Sequence, residues 1–136
     1  MKILLDTNVV LDVLLDRMPF KKDSYGAMRK ALEEGHQLFI SASAATDIFY
    51  VLSKALGSKR DALINMKTFM KIVSFAKVDE DDIINALTSG IADFEDAVVD
   101  SVAVSLKANL ILTRNAKDFR YANVAVMTPA DYLSCK

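Results

Sequence analysis

The chain has 136 residues, 52% of them apolar and 26% charged, with a net charge of −1. That balance suits one globular domain with a full core and excludes a disordered or fibrous chain. No apolar run approaches the ~20 residues of a membrane span, and the opening MKILLDTNVV meets an acid where a secretory leader would stay apolar, so a cytoplasmic protein is expected.

Lys2–Asp6 reads as a short strand. Phe20–Glu34 has helical spacing, with Tyr25, Met28 and Leu32 on one side and Gly35 as its stop. Gln37–Ala42 is a second strand. Ala44–Leu56 is a helix opened by Ser43 and closed by Gly57, and Lys59–Lys71 is another, with Leu63, Met66 and Met70 in phase. Ile72–Phe75 reads as a short strand, Asp81–Ser89 and Asp93–Lys107 as helices, and Asn109–Thr113 and Asn123–Met127 as strands. Strands that alternate with helices predict an α/β fold with a mostly parallel sheet of four to five strands, covered on both faces. Nothing in the composition marks an internal boundary, so residues 1–136 are read as one domain.

In such sheets ligands bind beyond the carboxyl ends of the strands. Asp6, the pair Ser41 and Ser43, and the run Thr113-Arg114-Asn115 fall at three of those ends. Asp6 sits inside the apolar stretch ILLDTNVVL, and burying an unpaired carboxylate costs several kcal/mol or shifts its pKa until it neutralises. A cap or turn role fits Asp6 equally well when it is taken alone.

The segment DFEDAVVDSVAVSLK adds a second signal. At about 100° per residue, Asp93, Asp96 and Asp100 fall within roughly 60° of one another, while Glu95 points the opposite way. Apolar residues flank this acidic stripe on both sides, so it is not a solvated face. Like charges one turn apart destabilise a helix, and a bound cation would resolve that. The helix dipole alone would explain Asp93 well, Asp96 in part and Asp100 hardly at all. Asp47, in the first turn after the second strand, is by itself an ordinary dipole-matched acid. Together Asp6, Asp47, Asp93 and Asp96 make an oxygen-only set. That set suits Mg²⁺ or Mn²⁺ rather than Zn²⁺, and phosphoryl transfer is the chemistry such sites serve.

Other features read as structural. The acidic run VDEDD (78–82) precedes a helix, so Asp79 or Asp81 caps it and the remaining acids are solvated. His36 follows Gly35 in a loop, and the single cysteine, Cys135, rules out an intrachain disulfide framework. Lys54, Lys59 and Arg60 form one basic cluster and Arg114, Lys117 and Arg120 another.

Four motifs then stand in order: LLDTNVVLDVLLDR, SASAATDIFYVL, DFEDAVV and LILTRNAKDF. Together they resemble the PIN-domain nuclease family, over a span from Lys2 to about Pro129. The resemblance implies a three-layer α/β/α sandwich and Mg²⁺- or Mn²⁺-dependent endonuclease activity, usually on RNA. Many short bacterial members, the VapC-like proteins, are toxins held by an antitoxin, and dimers are common among them. Carried over by position, Asp6 and Asp96 match metal-binding acids, Asn8 a polar support, and Asp93 an accessory acid. Asp47 falls where most members carry Glu, and Asn115 where many carry Asp, with Asp118 three residues on. The shorter Asp47 is expected to reach a metal through water, and Asn115 weakens a second metal site.

The resulting expectation is a PIN-type endoribonuclease. Asp6 and Asp96 hold the ion, and Asp47 and Asp93 complete the pocket and orient the attacking water. Thr7, Asn8, Ser41, Thr113 and Asn115 fix the carboxylates, and Arg114 and Lys117 are candidate contacts to the RNA backbone. Arg17 is expected to pair with Asp12. The alternatives are a PIN-like RNA- or protein-binding module without cleavage, and an aspartate-based phosphatase; the latter usually wants an acid where Asn8 stands.

Overall fold

The computed structural model describes residues 1–135. Five strands form one sheet: β1 (Lys2–Leu5), β2 (Gln37–Ser41), β3 (Val73–Ala76), β4 (Leu110–Leu112) and β5 (Val126–Met127). Their order is β3-β2-β1-β4-β5, and every neighbouring pair is parallel.

Side chains alternate across each strand, so the apolar runs divide between two cores. Ile3, Leu5, Leu38, Ile40, Leu110 and Leu112 face one way. There they meet α1 (Thr7–Leu14), α2 (Phe20–Glu33), α3 (Ala45–Leu56), α4 (Lys59–Phe69) and α7 (Pro129–Ser134), through residues such as Val10, Met28, Ile48, Leu52, Phe69 and Tyr132. Leu4 and Ile111 face the other way, onto α5 (Glu80–Leu87) and α6 (Phe94–Leu106), through Ala86, Val98, Val102 and Ala103. The result is the three-layer α/β/α sandwich, with strands apolar on both faces as a doubly covered parallel sheet requires.

Several boundaries differ from those expected. Asp6 does not extend β1: its backbone (φ −73°, ψ 153°) caps a helix, α1, that had not been anticipated in the β-branched run after it. The third strand runs one residue later, Val73–Ala76, and the fifth shrinks to Val126–Met127. A further unanticipated helix, α7, is opened by Thr128 with Pro129 in its first turn. In the run VDEDD, Asp79 is the cap, but Asp82 is not solvated. Its carboxylate accepts from the Asp79 amide (3.1 Å) and from the hydroxyls of Ser101 (3.1 Å) and Ser105 (2.6 Å), joining α5 to α6. No helix among the described residues is long and apolar enough to cross a membrane.

The chain order reverses at β1. β2 and β3 lie on one side of it, and β4 and β5 on the other. Parallel strands splay their connections at such a switch point, which leaves a crevice at their carboxyl ends. Asp6 follows β1 there, and Thr113 follows β4.

Candidate active site

Asp6 is 8% exposed and held on every side by neutral donors. Its amide donates to the Leu112 carbonyl at 2.9 Å, which fixes the residue to β4. Oδ1 accepts from the Thr7 amide at 2.8 Å, and Oδ2 accepts from Asn8 Nδ2 at 3.2 Å and Thr113 Oγ1 at 2.8 Å. The donors are themselves positioned. Asn8 Oδ1 accepts from the Arg114 amide, and the Asn115 amide donates to Thr113 Oγ1. Burial raises the Asp6 pKa; the bonds from Thr113, Thr7 and Asn8 oppose that, the Asp93 charge adds to it, and the net shift is upward.

Asp93 precedes α6 as its cap, with Oδ1 accepting from the Asp96 amide at 3.0 Å. Asp96 and Glu95 occupy the first helical turn. The Asp96 pKa is pushed up to about 7, by burial first and then by the charges of Asp6, Asp93, Asp118 and Glu95. Glu95 is also raised, by burial and then by Asp47, Asp93 and Asp6. Glu95 therefore does not point away from the site. It shares a cleft of about 140 Å³ with Asp47, Thr7 and Ser43, on the α3 side of Asp6. Among the described residues, none of Asp6, Asp47, Asp93, Glu95 and Asp96 has a basic partner within ion-pair distance.

Asp100 leaves the stripe. Its two oxygens accept from the amide and Nδ2 of Asn123, each at 2.8 Å, and it is 3% exposed. Ser41 also falls outside the carboxylate network, because its hydroxyl pairs with Ser43 at 2.6 Å. The partner of buried Asp12 is Arg114, with Nε 2.8 Å from Oδ2, and not Arg17, whose contact with Asp12 is backbone to backbone. The Arg114 guanidinium also lies over the Phe20 ring at 3.9 Å. That side chain thus ties α1 to α2. Lys117 stands exposed in the 3-10 turn Ala116–Phe119. Two residues gain weight beyond their place in the sequence reading, Glu95 and Asp118. Both sit one turn or less from a cap or strand end, and that position could have flagged them.

A family model of the PIN domain matches residues 2–117. The chain belongs to the PIN domain family. It is similar to Ribonuclease VapC1 of Aquifex aeolicus, with 29% identity over 96% of this chain and 92% of that one. Among solved structures it resembles VapBC2 from Rickettsia felis bound to a DNA fragment from their promoter (TM-score 0.75, 16% identity, 94% of this chain and 98% of that one). It also resembles VapBC-1 from nontypeable Haemophilus influenzae (TM-score 0.70, 15% identity, 96% and 99%). At those identities the structural likeness speaks for the fold.

The family implies a divalent metal, and the donors can be tested against one. Among the described residues no three Asp, Glu, His or Cys side chains stand in metal-holding geometry. The four acids Asp6, Asp47, Asp93 and Asp96 are thus not one cage: Asp47 lines the side cleft with Glu95, and one oxygen of Asp93 is taken by its cap. Asp6 and Asp96 remain as oxygen donors, the first repelled by the charge of Asp93 and the second by those of Asp6 and Asp93. Mg²⁺ is usually bound by one or two carboxylates, keeps several waters and takes up substrate phosphate. Asp6 and Asp96 fit that demand; they would not fit a metal that needs a closed protein shell.

Proposed function

We propose that this protein is a Mg²⁺- or Mn²⁺-dependent endoribonuclease, with Asp6 and Asp96 as the residues that hold the ion. One observation carries the reading. Asp6 stands at the sheet's switch point locked by three neutral donors, its charge acts on Asp96 ninety positions later in the sequence, and neither carboxylate has a basic partner within ion-pair distance. A protein gains nothing in stability from such an arrangement; a cation and a phosphate diester would relieve it.

When bound, the ion polarises a phosphate oxygen and makes water a better nucleophile at neutral pH. The chain's own groups do the rest. Thr113, Asn8 and the Thr7 amide fix both oxygens of Asp6, so no reorganisation is needed when charge builds up nearby. Asp93 holds the first turn of α6 and so sets where Asp96 stands. Asp96 serves there as an oxygen donor, the charged carboxylate that a hard divalent cation takes. In the hydrolysis the water oxygen bonds to phosphorus as one ester P–O bond breaks; the water gives up a proton to solvent, and the departing ester oxygen takes one up. Asp47 and Glu95 extend the negative field on one side; Lys117 offers a positive charge on the other.

The likeness to a VapC ribonuclease and to VapBC complexes supports RNA as substrate and an antitoxin protein as partner. Apolar residues left exposed on α3 and α4 (Tyr50, Leu56, Leu63, Ile64) and on α5 (Ile84, Leu87) are surfaces that such a partner or a second copy in a homodimer would cover. Single-turnover cleavage of an unstructured RNA, with and without Mg²⁺, tests the enzyme. Wild type should cleave only with the metal, and Asp6→Asn and Asp96→Asn should not cleave. Metal-dependent RNA binding without cleavage would leave the binding-module reading instead.

A further inference from the structure

Beside the acidic cluster, on the side away from Glu95, a groove runs between α6 and the connection from β4 to β5. Its near part, about 390 Å³, is lined by Lys117, Asp118, Arg120, Gly90 and Tyr121. Lys117 and Asp118 follow β4 by the turn that begins at Thr113, the residue whose hydroxyl holds Asp6, so this part lies on the connection that leaves the site. Its far part, about 520 Å³, shares Gly90 and Tyr121 and is walled by Asn85, Ser89 and Asn123. It is floored by Ala97, the residue after Asp96. A volume of this size is typical of a small-ligand pocket.

Three features make it a built cavity. Tyr121 is 62% exposed, yet its ring is positioned: the Arg120 guanidinium lies over it at 4.8 Å, and Gly90 lines both parts of the groove with it, where an added Cβ would stand 3.8 Å from the Tyr121 Cβ. Asn123 is clamped by Asp100, which accepts from both its amide and Nδ2. A carboxylate only accepts, so the Asn123 side chain must present nitrogen to Asp100 and leave Oδ1 as a free acceptor. Ser89 Oγ already accepts from the Ile91 amide, which leaves its hydroxyl proton to donate. An aromatic ring, a fixed acceptor and a hydroxyl donor thus sit next to two cations that lead to the acidic site.

We propose that this groove binds one nucleotide of the single-stranded RNA flanking the scissile phosphate, with the base stacked at Tyr121 and edge-bonded by Asn123 and Ser89, and the phosphate on Lys117 and Arg120. Unpaired bases are held in this way, by stacking and by hydrogen bonds to their edges. The role deepens the nuclease reading and rests on it for the position of the scissile bond.

The test uses the full chain and a short RNA carrying 2-aminopurine beside the cleavage site. Affinity is read in the Asp96→Asn background and half-saturation in single-turnover cleavage. Tyr121→Ala should weaken binding about tenfold or more, as loss of one stacked base does, and abolish the quenching of 2-aminopurine on binding. The loss should fall on half-saturation rather than on the maximal rate, and Tyr121→Phe should restore both signals. Removing Lys117 and Arg120 together should shallow the salt dependence by about 0.7 per lost phosphate contact. Unchanged affinity and quenching in Tyr121→Ala would overturn the subsite while leaving the nuclease intact. An inert wild type that still bound RNA through Tyr121 would overturn the nuclease reading and keep the subsite.

Discussion

Two sets of carboxylates in this molecule differ in what surrounds them. Asp12, Asp82 and Asp100 are 0%, 1% and 3% exposed. Each has specific partners: Ser24 and Arg114, the hydroxyls of Ser101 and Ser105, and both nitrogens of Asn123. These acids tie α1 to α2, α5 to α6, and α6 to the loop before β5. Asp6, Glu95 and Asp96 are less buried, yet theirs are the raised pKa values. Depth therefore does not mark the functional acids here. Burial is the first cause of those shifts, and what adds to it is the charge of neighbouring acids, with no basic group within ion-pair distance to offset it.

That contrast breaks first at Asp96. Asp96→Asn should lower Mg²⁺-dependent cleavage by about 10²–10³-fold or more, the scale on which one group that stabilises transition-state charge is felt. It should also raise the melting temperature of the metal-free protein at neutral pH, because it removes repulsion. The structural set should behave in reverse. Asp12→Ala leaves the Arg114 guanidinium without its counter-charge and should cost about 2–4 kcal/mol in urea unfolding. Cleavage per folded molecule should fall far less than in Asp96→Asn.

Stability against pH sharpens the comparison. Between the unfolded-chain value of 3.8 and about 7, the folded protein keeps a proton on Asp96 that the unfolded chain has released. Raised acids of this kind stabilise the fold below that window and lose the contribution as pH rises through it. The metal-free melting temperature should therefore decline from pH 5 to pH 8. Asp96→Asn should flatten the decline, and Mg²⁺ should offset it in wild type. Were the decline unchanged in Asp96→Asn, the repulsion account would fall. The smallest effect separates two exposed acids. Glu95→Gln should slow cleavage by about tenfold, as loss of a charge near but not on the reacting centre does. Asp81→Asn should stay within about twofold of wild type, since Asp81 is an exposed first-turn acid of α5.

Much of this was legible in the chain. Short continuous apolar runs such as KILL, LFIS and LILT marked the strands, and their alternation with helices implied a parallel sheet covered on both faces. The placement of Asp6 at the carboxyl rim followed from topology, and so did that of Thr113. The acidic helix was read less well, for a geometric reason. Angular phase about a helix axis ignores depth along it and assumes that the helix has begun. Asp93 is extended (ψ 127°), so its phase does not continue that of Asp96. Asp100 lies four residues and about 6 Å further down the axis, below the rim and beside Asn123. Glu95, at the second helical position, is free to lean over the open end toward Asp47. The pairing of Asp12 with Arg114 rather than Arg17 was also beyond reach, because it spans elements whose contact only packing decides.

The hydroxyl that secures Asp6 comes from a residue 107 positions later in the chain. During synthesis, at about 5–20 residues per second, Asp6 emerges many seconds before Thr113 exists to hold it or Leu112 to receive its amide. A chain cut short before β4 already carries both Asp6 and Asp96, yet it lacks the Leu112 carbonyl and the Thr113 hydroxyl that seat the first of them. An unfinished copy of that length therefore holds the two acids without the strand that fixes Asp6 at the rim.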